Sequence, residues 1–203
     1  MHLVGDDRAA AAPSRALDRK RLRAVVADRT GRRAVVLDDV ELPHCRRDAD
    51  HVVVAPGGVW VVDVVACAGE LEVRDVGGFF RDEQRLFADG RDRTDALDSL
   101  LWQRAAVVAL LGDEPADPAV HSALVVVDGD REVVTEPFRI DEHWVCSAEG
   151  LGALVADGAA NDDDAIARIV AALRGDHSAR VAVDLTDRVR PVAAADALED
   201  LLG

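Results

Sequence analysis

The run DADHVVVAPGGVWVVDVVACAG, residues 48–69, decides the fold. Two apolar segments, His51 to Ala55 and Val59 to Val65, flank Pro56-Gly57-Gly58, and this pattern predicts a β-hairpin. Side chains alternate along a strand, so Asp63, Val65, Val61 and Val59 share one face, and Trp60, Val62 and Val64 share the other. Both faces are apolar, as in a central strand covered on both sides. A carboxylate in such a strand must find hydrogen bonds, a cation or a raised pKa. With Gly57-Gly58 as a two-residue turn, Pro56 pairs with Val59, Val52 with Asp63 and Asp50 with Val65. Asp50 and Asp63 are then diagonal neighbours on one face, roughly 7–8 Å apart. Carboxylates so placed can share a divalent cation.

Outward from the hairpin, elements alternate. Ser14 can cap a helix to about Arg29, with Leu17, Leu22, Val25 and Val26 as its apolar stripe. Ala34 to Leu37 reads as a strand, followed by Asp38-Asp39, the short segment ELP and a polar loop, HCRRDAD. A weaker hairpin starts at Gly69, with Leu71 and Val73 alternating before Gly77-Gly78. Thr94 or Asp95 can cap a helix to about Leu111 that carries Gln103. Ser122 to Val127 is a short buried strand, and a further strand is expected around Trp144 to Cys146. Helices are expected at about 148–156 and 162–174, the second beginning in the acidic turn Asn161 to Asp164. Val181, Val183 and Leu185 alternate as a last strand, and 192–202 reads as a terminal helix. This succession predicts an α/β domain. The expected organisation is a loose tail at 1–13, a main domain at 14–156 and an extension at 157–203 packed on the same domain.

Composition bounds the function. Net charge is −15, a poor start for a phosphate binder. From Ser14 to Arg47, however, ten basic residues oppose five acidic ones, a local +5, so the remainder carries −20. Arg19, Lys20, Arg23, Arg46 and Arg47 are the candidates for a basic nucleic-acid-binding face. Lys20 is the only lysine in the sequence. No apolar run reaches the roughly 20 residues a membrane span needs. Cys45, Cys67 and Cys146 are widely spaced, so neither a disulfide framework nor a zinc site is indicated, even with His44 and His51 near Cys45. The N-terminal residues lack the layout of a secretion signal, and a reduced cytoplasmic setting is expected.

The hairpin resembles the core of the NERD (nuclease-related) domain. In that family an Asp-His pair opens a strand, a Pro-Gly turn follows, and the next strand carries Asp-x-Lys. The segments VVLDDVELP, DRTDALDSLLWQRAAVVALL, SALVVVDGD and EPFRID extend the resemblance over roughly 15–155. It implies a restriction-endonuclease-like mixed sheet flanked by helices, within the PD-(D/E)xK nuclease superfamily, here with an added C-terminal strand and helix. It also implies that Asp50 and Asp63 hold Mg²⁺ or Mn²⁺, assisted by the carbonyl of Val64 or Val65, and that Gln103 orients a phosphate or water. The lysine position holds Val65, Cys67 takes the aromatic slot, and Asp18 is the only acid near the first helix's usual acidic position. Lys20 is the candidate for a relocated cation.

Three readings follow. In the first, a catalytically impaired nuclease-related module binds DNA or another protein. In the second, the chain is an active Mg²⁺- or Mn²⁺-dependent DNA endonuclease with a relocated cation. In the third, it is an acidic protein-interaction scaffold without a nucleic-acid role, which the −20 outside Ser14 to Arg47 favours.

Overall fold

The structure, a computed structural model, describes residues 12–77, 83–112, 117–128, 133–158 and 161–175. The expected strand at Val181 to Leu185 and the helix at 192–202 lie outside the described residues. A six-stranded mixed sheet forms the centre. It comprises β1 (Val35–Val40), β2 (Ala49–Ala55), β3 (Gly58–Ala66), β7 (Val120–Val127), β9 (His143–Cys146) and β8 (Phe138–Ile140), in that spatial order. β1, β2 and β3 run antiparallel, β3, β7 and β9 run parallel, and β8 returns antiparallel. Four helices complete the described fold: α1 (Ala12–Arg29), α2 (Thr94–Leu110), α3 (Ala148–Ala156) and α4 (Asp163–Arg174). The architecture is that of a restriction-endonuclease-like mixed α/β domain.

The apolar alternation of the hairpin divides the core. Val53, Ala55, Trp60 and Val62 pack with Leu22 and Val26 of α1 and Leu151 and Val155 of α3. Val52, Val54, Val59 and Val61 pack with Leu97, Leu100 and Val107 of α2 and Ile166, Ile169 and Leu173 of α4. β3 is thus a central strand covered on both faces, as its valines require.

The register differs from the expected one. Ala55 pairs with Gly58 and His51 with Val62, so Pro56-Gly57 is the turn and each pair moves by two residues. The cause is tertiary. Asn161 donates from its backbone N to the Pro56 carbonyl (2.8 Å) and from Nδ2 to the Ala55 carbonyl (2.9 Å). A Cβ on Gly57 would stand 1.9 Å from the Asp157 carbonyl oxygen, so the turn fits only with glycine there. Gly58 holds φ +141°, a conformation suited to glycine. A shift of two preserves the faces.

Other differences have local causes. Asp38 and Asp39 belong to β1, where Arg23 and the His51 ring pair with Asp38 and Arg19 pairs with Asp39. The expected second hairpin forms as β4 (Leu71–Asp75) against β5 (Gln84–Ala88), and β6 (Arg91–Asp92) extends it into a separate three-stranded sheet. Leu86 and Ala88 of β5 are buried against the main core with Phe87 between them, and Gln84 and Arg85 before them shorten the apolar pattern in sequence. The acidic turn starts α4 as expected, with the Asp162 side chain accepting from the Ala165 amide at 2.7 Å.

Candidate functional site

One step beyond the His51–Val62 pair, Asp50 stands across from Asp63. The two are opposite, not diagonal, and they are joined by hydrogen bonds. The Asp50 amide donates to Asp63 Oδ1 (3.2 Å), and the Val64 amide donates to Asp50 Oδ2 (2.8 Å). Each carboxylate therefore replaces a backbone carbonyl where the ladder ends. Asp63 is buried on the α2 side of the sheet, and Asp50 is half-buried.

α2 supplies the next group. Leu97, Leu100 and Val107 face the core at helical spacing, and Gln103 falls within that same buried stripe. Its side chain, 1% exposed, donates from Nε2 to Asp63 Oδ2 and to the Asp48 carbonyl, both at 3.3 Å. Two acceptors at Nε2 fix the amide's orientation, which leaves Oε1 buried without a protein partner. Arg47 approaches from the β1–β2 loop. Its Nη2 lies 3.8 Å from Asp63 Oδ2 and donates to Ser99 Oγ of α2 at 3.4 Å.

Burial is the main influence on Asp63 and pushes its pKa up to about 6, with repulsion from Asp50 adding to it. The Asp50 amide, Arg47 and Gln103 hold it down only in part. Cys45 is close enough to feel Asp63 and Asp48. Burial and these two charges raise its thiol pKa.

The other sequence candidates go elsewhere. Val65 is half-buried and packs at the edge of the α2-side core, where the expected ammonium would stand. Lys20 is exposed on α1, across the sheet from α2 and Gln103. Arg19 is engaged with Asp39 through two hydrogen bonds (2.6 and 2.7 Å), and Arg23 with Asp38 at 2.6 Å. Arg46 is exposed beside Arg47. The expected basic helix face thus spends Arg19 and Arg23 on the acidic edge strand. Asp48, Cys45 and Ser99 were not among the sequence candidates. Asp48 contributes a carbonyl and Ser99 anchors Arg47, and neither role leaves a pattern in sequence. A cavity of about 1120 Å³ runs along β1 past Cys45 and Asp48, but Asp50 and Asp63 do not line it. Its lining mixes the acids Asp38, Asp39, Glu41 and Asp48 with Arg23, His44 and Arg174.

A family model described as the nuclease-related domain matches residues 16–127. The chain belongs to the nuclease-related domain family. The match spans α1 to the end of β7, and so includes the carboxylate pair and Gln103 of this nuclease-related domain. No curated protein and no solved structure matches the chain. No helix among the described residues of the nuclease-related domain is long and apolar enough to cross a membrane.

Among the described residues no three His, Cys, Asp or Glu side chains gather to hold a metal ion. Within the described residues of the nuclease-related domain, Asp50 and Asp63 form a facing carboxylate pair. A pair is sufficient for Mg²⁺, which keeps several waters and is bound by one or two carboxylates plus substrate phosphates. The orphaned Oε1 of Gln103 fits such a site, because a cation-bound water would donate to it. The donors are all hard oxygens, as Mg²⁺ or Mn²⁺ prefers.

Proposed function

We propose that this chain is a nuclease-related module that binds nucleic acid through a divalent-cation site at Asp50 and Asp63 and is impaired in phosphodiester cleavage. The observation that carries this reading is Val65, a hydrocarbon side chain packed at the core edge where the family's Asp-x-Lys motif has its ammonium. Asp50 and Asp63 would hold Mg²⁺ or Mn²⁺. A bound divalent cation supplies charge that polarises a phosphodiester and lowers the pKa of water. Gln103 would hold Asp63 in place through Nε2 and accept a hydrogen bond at Oε1. Val65 can neither donate a hydrogen bond nor offset developing negative charge. Loss of one such donor lowers rate by on the order of 10²–10³.

Plasmid and single-stranded DNA incubated with the pure protein in Mg²⁺ or Mn²⁺, beside Asp63→Ala, test the reading. Metal binding that Asp63→Ala abolishes, with no cleavage above background, supports it. Robust cleavage lost in Asp63→Ala overturns the impairment and leaves an active endonuclease.

That second reading has one observation in its favour: Arg47, whose guanidinium stands 3.8 Å from Asp63. An exposed guanidinium carries charge but not the compact ammonium geometry of lysine. Val65→Lys separates the two readings. A gain of about 10² or more in cleavage identifies a site lacking only its cation. An unchanged, already substantial rate assigns the role to Arg47.

A further inference from the structure

The chain contains three tryptophans. Trp60 is buried, with its ring 4.5 Å from that of His121. Trp144 is half-buried, with the Arg139 guanidinium 5.5 Å over its ring. Trp102, on α2, is 52% exposed. Exposed indole is costly to leave in water, and Trp102 is the one aromatic among the exposed large apolar side chains of the described residues.

Its position is specific. Gln103, the next residue, grips Asp63. Ser99, three residues earlier, is its neighbour on the helix surface, with roughly 5–6 Å between Cβ atoms. Ser99 is also the residue that anchors Arg47, and Arg47 reaches Asp63. The indole, the guanidinium and the carboxylate pair therefore follow one another across the end of the sheet. Asp95 and Asp98 are exposed on the same helix, Asp98 one turn before Trp102 and Asp95 one turn before Ser99, so a nucleic-acid backbone here would depend on the exposed Arg46 and Arg47.

We propose that Trp102 is a stacking platform for an unpaired nucleobase, so that this chain prefers single-stranded nucleic acid over duplex. The proposal rests on the nucleic-acid-binding reading above and extends it. An indole face accepts any base, because every base has a π-face. In a duplex those faces are already stacked and cannot reach it. The backbone phosphate beside the stacked base would meet Arg47 and the cation held by Asp50 and Asp63.

The test is a titration of the full chain with oligo-dT and with a blunt duplex in Mg²⁺ at ~50 mM salt, where phosphate contacts are strong. Wild type, Trp102→Ala and Trp102→Phe are compared by tryptophan fluorescence and by anisotropy of labelled DNA. Because Trp102 is exposed, all three proteins should share one urea midpoint. Oligo-dT should quench the wild-type fluorescence and bind tighter than duplex. Trp102→Ala should weaken oligo-dT binding about tenfold or more, and Trp102→Phe should retain most of it. Oligo-dT binding that is steeply salt-dependent yet unaltered in Trp102→Ala would remove the platform and leave the nucleic-acid reading standing. Equal binding of duplex and oligo-dT would also remove it. No binding of either DNA overturns both.

Discussion

The Asp50 amide donates to Asp63 Oδ1 at 3.2 Å, so the two carboxylates of the hairpin are locked together by the backbone itself. The Val64 amide returns the bond to Asp50 Oδ2 at 2.8 Å. Like charges are held close in a buried place, and the arrangement costs stability unless a proton or a cation intervenes.

That cost is measurable. Asp63 keeps its proton to about pH 6 in the folded protein, against 3.8 for its ordinary value. Between these limits the folded state binds more protons than the unfolded one, so this group's contribution to stability falls as pH rises. The deficit is complete above pH 6 and is on the order of 3 kcal/mol. Asp63→Asn should therefore be more stable than wild type at pH 7, with the difference shrinking towards pH 4, in urea unfolding series at each pH. Mg²⁺ should stabilise wild type and leave Asp63→Asn unchanged. Parallel pH curves for the two proteins would refute the assignment.

His143 tests the opposite sign. Its Nδ1 lies 2.7 Å from Ser122 Oγ in the core. Burial, helped by Arg104, lowers its pKa below 6.5, against the partial opposing pull of Glu142, Asp141 and Asp98. The unfolded chain takes up this proton first as pH falls. Stability from His143 is complete above pH 6.5 and is lost as pH falls below it. His143→Gln should remove this loss, so that its stability at pH 5 relative to pH 7 exceeds that of wild type, read as urea midpoints; an unchanged difference would exclude His143 as a contributor.

Gly57→Ala addresses the register. The new Cβ would meet the Asp157 carbonyl at 1.9 Å, backbone against side chain, so a segment must move. The expected loss is on the order of 3 kcal/mol. For a chain of this size that lowers Tm by roughly 6–12 °C. A Tm within about 2 °C of wild type would show that the turn is not seated against Asp157.

The thiols should react unequally. Cys67 and Cys146 are buried, and burial pushes the Cys146 thiol up to about 12, whereas Cys45 is partly exposed. A thiol-specific reagent at pH 8 should label Cys45 first, with Cys67 and Cys146 modified only on unfolding. Mass spectrometry of the native time course reads the order, and early modification of Cys146 would contradict its burial.

Much of this was legible in sequence because period is local. The valine alternation around Asp63 identifies a strand covered on both faces, and Gln103 lies in the apolar stripe of its helix. The shared face of Asp50 and Asp63 was legible too, since a shift of two residues preserves parity. β8 and the bounds of β5 were not legible, because strands with one or two buried residues are too short to show a period.

The sequence by itself determined which residues could face which way, since strand and helix periods depend only on neighbours along the chain. Only the tertiary structure decided distances and partners: Asn161 seating the turn, Arg19 and Arg23 drawn to the edge strand, Arg47 brought to Asp63, and Trp102 left in solvent. These depend on groups far apart in the chain, whose meeting is set by packing two helical layers against one sheet.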